Sequence, residues 1–160
     1  MSVPSRIVGI DLGDRRIGVA IGDPATRTAS PFATLGRGKR VADDAVTIAK
    51  LAAEQGAGSI VVGLPLNMDG SEGPQAAATR EWAEAVALAT GLPLRYRDER
   101  LTSERAERRI GTGARGRSGG PPTPSQREAY RARVDREAAA LILQDDLDAT
   151  TNENPERRSK

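Results

Sequence analysis

The chain has 160 residues and a formal net charge of +2, with 2% aromatic residues, no cysteine and no histidine. That length fits one domain with a core of Val, Ile, Leu and Ala. The two zeros exclude disulfide frameworks, thiolate or imidazole metal sites, and Ser–His or Cys–His nucleophilic pairs. A catalytic metal would need carboxylate and carbonyl ligands, hard oxygen donors that suit Mg²⁺ or Mn²⁺.

Arg6–Asp11 and Arg16–Asp23 are short β-like runs with Gly13-Asp14 between them, which predicts a hairpin. Thr28–Leu35 reads as a third strand, and Pro31 favours an edge position for it. Val41–Glu54 carries apolar residues at helical spacing, and Gly56 and Gly58 end it. Ser59–Leu64 is a continuous apolar run, the pattern of a buried central strand. After a loop over Pro65–Gly73, Pro74 fits the first position of a helix that runs to about Thr90 and stops at Gly91. Residues 92–98 alternate Leu92, Leu94 and Tyr96 with Pro93, Arg95 and Arg97, a strand pattern. Thr102–Ile110 predicts a short helix with Thr102 as N-cap. Gly111–Pro124 is rich in Gly, Pro and Arg and is expected to be a flexible basic loop, taken over 111–125. A last helix is expected from Gln126 or Val134 to Leu147. The domain would then span 1–148, with a disordered polar tail over 149–160. The order β-β-β-α-β-α-β-α implies an α/β fold, a mixed five-stranded sheet flanked by helices. No apolar run approaches the roughly 18 residues of a membrane span, and no signal-peptide core is present, so a cytoplasmic protein with no membrane partner is expected.

Arg outnumbers Lys by 21 to 3, and 12 Arg against 6 acids fall between Arg95 and Arg136. The planar guanidinium suits phosphate oxygens, so this stretch points to nucleic acid, although a GC-rich genome would raise the Arg count by itself. Pro65–Gly73 follows the central strand and opens a helix, where backbone N–H groups can hold a phosphate and Asn67 and Ser71 can add donors. The expected nucleic-acid contacts are Arg15, Asn67, Ser71, Arg100, Arg115 and Arg117.

Three acids lie where chemistry is expected. Asp11 ends the first strand, facing the crevice where α/β sheets bind ligands. A turn-forming Asp beside Gly is the plainer alternative. At the end of the strand over 92–98, Asp98 shares phase with Leu94 and Tyr96, and Glu99 with Arg95 and Arg97. Strict alternation therefore points Asp98 inward, though the strand is ending there, and both could be surface ion pairs. Asp135, placed at the start of the last helix, shares a face with Ala139 and Ile142 that is small enough to press close to the sheet. The alternative is an acid favoured by the helix dipole. Acids drawn together this way repel, at least one pKa rises, and a divalent ion relieves the repulsion. Two ions about 3.5–4 Å apart can activate a water and stabilise the leaving oxygen of a phosphodiester.

Four segments resemble the YqgF family, also called RuvX: GIDLGDRRIGVAIGD (Gly9–Asp23), VVGLPLNMDGSEGPQA (Val61–Ala76), RDERLTSERAE (Arg97–Glu107) and VDREAAALIL (Val134–Leu143). They occur in the family's order across nearly the whole chain. The resemblance implies a ribonuclease H-like fold related to RuvC resolvases. It also implies catalytic, metal-holding acids at Asp11, Glu99 and Asp135, which selects Glu99 over Asp98 against the alternation. RuvC-type resolvases carry an acid on the strand corresponding to Ser59–Leu64, which has none here, so the second acid is displaced to Glu99. The implied function is a Mg²⁺- or Mn²⁺-dependent nuclease, with two ions, maturing the 5′ end of the 16S rRNA precursor on ribosomal assembly intermediates. Holliday junction resolution, on branched or single-stranded DNA, is the alternative, since fold does not fix function. A non-catalytic assembly factor would gain nothing from acids converging in a basic surface. An actin-like ATPase or sugar kinase would need two such domains. Monomer and homodimer stay open.

Overall fold

The computed structural model describes residues 5–111 and 119–153. Five strands form one sheet in the order β3-β2-β1-β4-β5: β1 (Arg6–Leu12), β2 (Arg16–Asp23), β3 (Thr28–Gly36), β4 (Ala57–Leu64) and β5 (Leu94–Asp98). β1–β2–β3 is an antiparallel meander, and β4 and β5 add in parallel, so the sheet is mixed as expected. Like β5, β3 is an edge strand. Its ladder shifts between Val19↔Ala33 and Ala20↔Pro31, leaving Phe32 as an extra residue, so Pro31 sits beside a bulge on an edge, where its missing N–H is tolerated.

Helices cover both faces. α1 (Val41–Gln55) and α2 (Pro74–Thr90) lie on one face and end at Gly56 and Gly91, as their sequences predict. They cover Val8, Ile10, Ile17, Val19, Ile60 and Val62. Trp82 is buried there, and its indole N–H donates to Asp44 Oδ2 at 3.0 Å. The other face carries Ile7, Ala20 and Val61 and is covered by α4 (Pro124–Glu153) through Ala139, Ile142 and Leu143. Two helices follow β5, because α3 (Thr102–Ile110) packs Ala106 against Val134, Ala138 and Leu141 of α4.

Two expected boundaries change. α4 begins at Pro124 and runs past Asp148 to Glu153. Its start is a capping box: Thr123 Oγ1 accepts from the Gln126 N–H at 3.1 Å, and Gln126 Oε1 accepts from the Thr123 N–H at 2.8 Å. No Gly or Pro interrupts residues 125–154, so nothing stops the helix at Leu147. Thr102 is not the N-cap of α3. Leu101 takes that place with φ 62°, and Thr102 is the first helical residue, buried. Residues 112–118 of the expected loop, with Arg115 and Arg117, and 154–160 of the expected tail lie outside the described residues. Among the described residues no helix is long and apolar enough to cross a membrane.

Charge enters the α4 face by design. Arg95 and Arg97 of β5 both reach Asp146 of α4, which is fully buried: Arg95 Nη2 stands 2.8 Å and Arg97 Nε 2.7 Å from its carboxylate. Burial works to raise the Asp146 pKa, but the two guanidiniums outweigh it and hold it below the usual value. Asp146→Asn keeps the volume and removes the charge both serve. A loss of about 2 kcal/mol is expected, less than for fully buried pairs because both Arg side chains can turn toward solvent. Urea denaturation at pH 7 checks it.

Candidate active site

Asp11 lies on the α4 face of β1, in phase with Ile7 and Gly9, and pairs across the ladder with Gly18 of β2. Gly18 is where α4 comes closest to the sheet. A Cβ built on it would overlap the main-chain carbonyl of Asp135. The missing side chain therefore lets the α4 backbone rest on β2 and delivers Asp135 beside Asp11. Asp135 sits three turns inside α4, so the helix-dipole alternative does not apply to it.

Glu99 follows the last residue of β5. Its N–H donates to the Leu64 carbonyl at 3.1 Å, which turns the chain across the end of β4. The side chain lies over Gly63, where an added Cβ would stand 2.9 Å from Glu99 Oε2 and 3.1 Å from its Cβ. β4 supplies space instead of an acid, and Glu99 fills it. The Glu99 and Asp11 carboxyls hydrogen-bond to each other. Burial first, then that bond and the charges of Asp11 and Asp98, push Glu99 up to about 10. Asp11 is also raised, mainly by burial with help from the Asp135 charge, although the Glu99 hydrogen bond opposes this. The pair therefore keeps a shared proton at neutral pH.

Asp98, which alternation would have turned inward, is exposed. It accepts from the Arg100 N–H at 2.9 Å and from Arg100 Nε at 2.8 Å, and this pairing holds its pKa below the usual range. The alternation was sound, but inward has two meanings in a sheet covered on both faces. Arg95, Arg97 and Glu99 share the α4 face with Asp11.

The three acids are only partly assembled. Asp11, Glu99 and Asp135 line one open cleft of about 370 Å³, together with Pro65, Met68, Arg100 and Leu101. Asp11 and Glu99 meet, whereas Asp135 Oδ2 is held by Arg16 Nε at 2.6 Å. Among the described residues no three acidic side chains form a closed metal cage as they stand. The expected repulsion is relieved in two ways, by the shared proton and by Arg16, a partner that the charge count did not single out. The donor set still fits a hard divalent cation: all-oxygen ligands, two in contact and a third on the same wall.

The other expected contacts divide. Arg15 is exposed beside the cleft, and Arg100 lines it while donating through Nη1 to the Met68 carbonyl at 3.0 Å. Asn67 and Ser71 bond within their own loop: Asn67 Nδ2 donates to Ser71 Oγ at 3.0 Å, and Ser71 Oγ donates to Asp69 Oδ1 at 2.6 Å. They shape the turn that carries Met68 instead of lining the cleft.

A pH dependence follows. An acid whose folded pKa lies above its unfolded value favours folding while protonated, and that contribution fades as pH rises. Without divalent ions, stability should fall from about pH 5 toward pH 9 by up to about 1.4 kcal/mol per unit. The chain has no His or Cys to titrate in that window. Glu99→Gln should flatten the slope in urea denaturation at pH 5, 7 and 9.

The family model for RuvX, described as a Holliday junction resolvase, matches residues 5–149. A protein of Acidiphilium cryptum (strain JF-5) named "Putative pre-16S rRNA nuclease" is 40% identical over 152 residues, covering 95% of this chain and 89% of that one. One of the same name from Anaeromyxobacter sp. (strain Fw109-5) is 48% identical over 143 residues, covering 89% and 96%. Among solved structures, T. thermophilus RuvC in complex with Holliday junction substrate aligns with a TM-score of 0.52 at 15% identity, over 92% of this chain and 96% of that one. That likeness is one of fold, and the fold is the ribonuclease H-like one.

Proposed function

This chain belongs to the RuvX family, and on that premise we propose that it is a divalent-metal-dependent nuclease that hydrolyses phosphodiester bonds at the Asp11–Glu99–Asp135 cleft. The observation that carries the reading is the contact between the Asp11 and Glu99 carboxyls with Asp135 on the same wall. A protein that only bound nucleic acid would have no use for acids held together at the cost of a raised pKa, because they repel phosphate.

In this reading Asp11, Glu99 and Asp135 hold Mg²⁺ or Mn²⁺, two ions when fully loaded. The cation supplies positive charge against the developing charge on the phosphate oxygens. Asp11, fixed in the ladder of β1 and β2, is the rigid ligand. Glu99, whose side chain lies over Gly63, would hold the cation as a carboxylate. Asp135 would serve as a ligand only when freed from Arg16, which would then stand nearby as a phosphate partner. Arg15 and Arg100 flank the cleft as backbone contacts, which position a strand without reading its sequence. Arg115 and Arg117 extend that set as further contacts. Asn67 and Ser71 act on it through the shape of their turn.

The substrate we propose is the 16S rRNA precursor, matured at its 5′ end in the cytoplasm on assembly intermediates. The name shared by the relatives supports this. The description of the family model supports a second reading, cleavage of branched DNA. Incubation with Mn²⁺ of end-labelled rRNA precursor and of a four-way DNA junction separates the two. Cleavage at the mature 5′ end is the expected result. Symmetric junction cutting with inert RNA would replace the first reading by the second, and cleavage of neither would remove both.

A further inference from the structure

Many guanidiniums among the described residues are spoken for. Arg16, Arg80, Arg95, Arg97, Arg100, Arg105, Arg108 and Arg109 are each ion-paired with a carboxylate. Arg15 and Arg131 are different: among the described residues neither side chain makes a hydrogen bond or ion pair. Both are exposed, and they come together from distant parts of the chain, Arg15 from the β1–β2 turn and Arg131 from the second turn of α4. They line one groove of about 340 Å³ with Gly13, Asp14, Arg16 and Asp135.

Three features make this groove a place for an anion. Of its two lining acids, Asp135 is already neutralised by Arg16, and Glu128 at the margin stands 3.8 Å from the same guanidinium, so Asp14 is the one lining acid without an ion pair among the described residues. The groove is held on both sides. The Gly13 N–H donates to the Arg16 carbonyl at 2.8 Å, Arg37 Nη1 donates to the Gly13 carbonyl at 3.1 Å, and the Arg37 N–H donates to the Arg15 carbonyl at 2.9 Å. The turn that presents Arg15 is thus tied to the end of β3, while Arg131 stands on a helix. Finally, the groove is continuous with the acid cleft, sharing Gly13, Asp14 and Asp135 with it.

We propose that the groove between the β1–β2 turn and α4 is a second phosphate subsite, in which Arg15 and Arg131 clamp a backbone phosphate flanking the one held at the acids. This rests on the nuclease reading for its register and adds to it a substrate class: a polynucleotide with at least two successive phosphates, not a mononucleotide or an isolated phosphodiester. Two guanidiniums converging on one phosphate give bidentate geometry that Lys would not. The contact is to the backbone, so it serves RNA and DNA alike and sets where the strand lies relative to the acids.

The test is binding without cleavage. The Kd of a labelled 12-nucleotide single strand is measured in EDTA at several KCl concentrations for wild type, Arg15→Gln, Arg131→Gln and Arg27→Gln. Arg27 is the control for loss of one charge, being at the far end of the β2–β3 turn. Each groove variant is expected to bind about tenfold more weakly, with the salt slope reduced by about 0.7, the value for one phosphate contact on a single strand. Arg27→Gln should leave the slope unchanged. Equal behaviour of Arg131→Gln and Arg27→Gln would overturn the subsite, even if the protein cleaves. Arg131-dependent binding in a protein that cleaves nothing with Mn²⁺ would retain the subsite and remove the nuclease reading.

Discussion

Asp11→Asn is expected to lower metal-dependent cleavage about a thousandfold or more while making the metal-free protein more stable at pH 8. The two effects have one cause. Asp11 touches Glu99 and feels Asp135, so it stands between the other two acids and is the one best placed to hold a cation among them. Removing its charge takes away the ligand fixed most rigidly by the sheet, and a loss of about 4 kcal/mol of transition-state stabilisation is a factor near a thousand. The same change takes the Asp11 charge away from Glu99 and leaves only that of Asp98, so the cost of burying the pair falls. A purely structural Asp11 would show the opposite stability change. Activity with Mn²⁺ and thermal melting in EDTA, read on the same preparation, distinguish these.

Gly18→Ala is expected to cost about 3 kcal/mol and to lower cleavage roughly a hundredfold. The new Cβ would overlap the Asp135 carbonyl, a main-chain atom that cannot rotate aside, so α4 must lift from β2. Asp135 moves with it, and a displacement near 1 Å at a reacting centre is enough for a hundredfold loss. Ala fits the strand in every other respect, which makes the helix-to-sheet distance the quantity under test. Urea denaturation gives the first number and single-turnover cleavage the second. A variant with wild-type activity would show that Asp135 does not need its position.

Much of this architecture is readable in the chain. The meander, the buried β4, and the Pro and Gly that bracket α2 follow from period and punctuation. The sequence is ambiguous at places where a local rule has two outcomes. At β5, alternation separated Leu94 and Tyr96 from Arg95 and Arg97 but could not say that both phases are covered. The charged phase is covered as well because Asp146 lies opposite it. Asp146 itself is in helical phase with Ala139, Ile142 and Leu143, a spacing from which its burial could have been read. The start of α4 was also signalled: Thr123-Pro124-Ser125-Gln126 is a capping box with Pro at the first position, masked by the Gly- and Pro-rich run before it. The contact of Arg16 with Asp135 joins residues 119 apart and has no local signature. Gly18 and Gly63 looked like ordinary strand glycines until the elements above them were in place.

The Asp11–Glu99 pair is expected to exchange its shared proton for a divalent cation. Calorimetric titration of Mn²⁺ into the wild-type protein at pH 8, in two buffers of different ionisation enthalpy, measures this directly. Saturable binding with release of about one proton is expected in the wild type, and loss of both in Asp11→Asn. Binding with no proton released, or binding that survives Asp11→Asn unchanged, would contradict it.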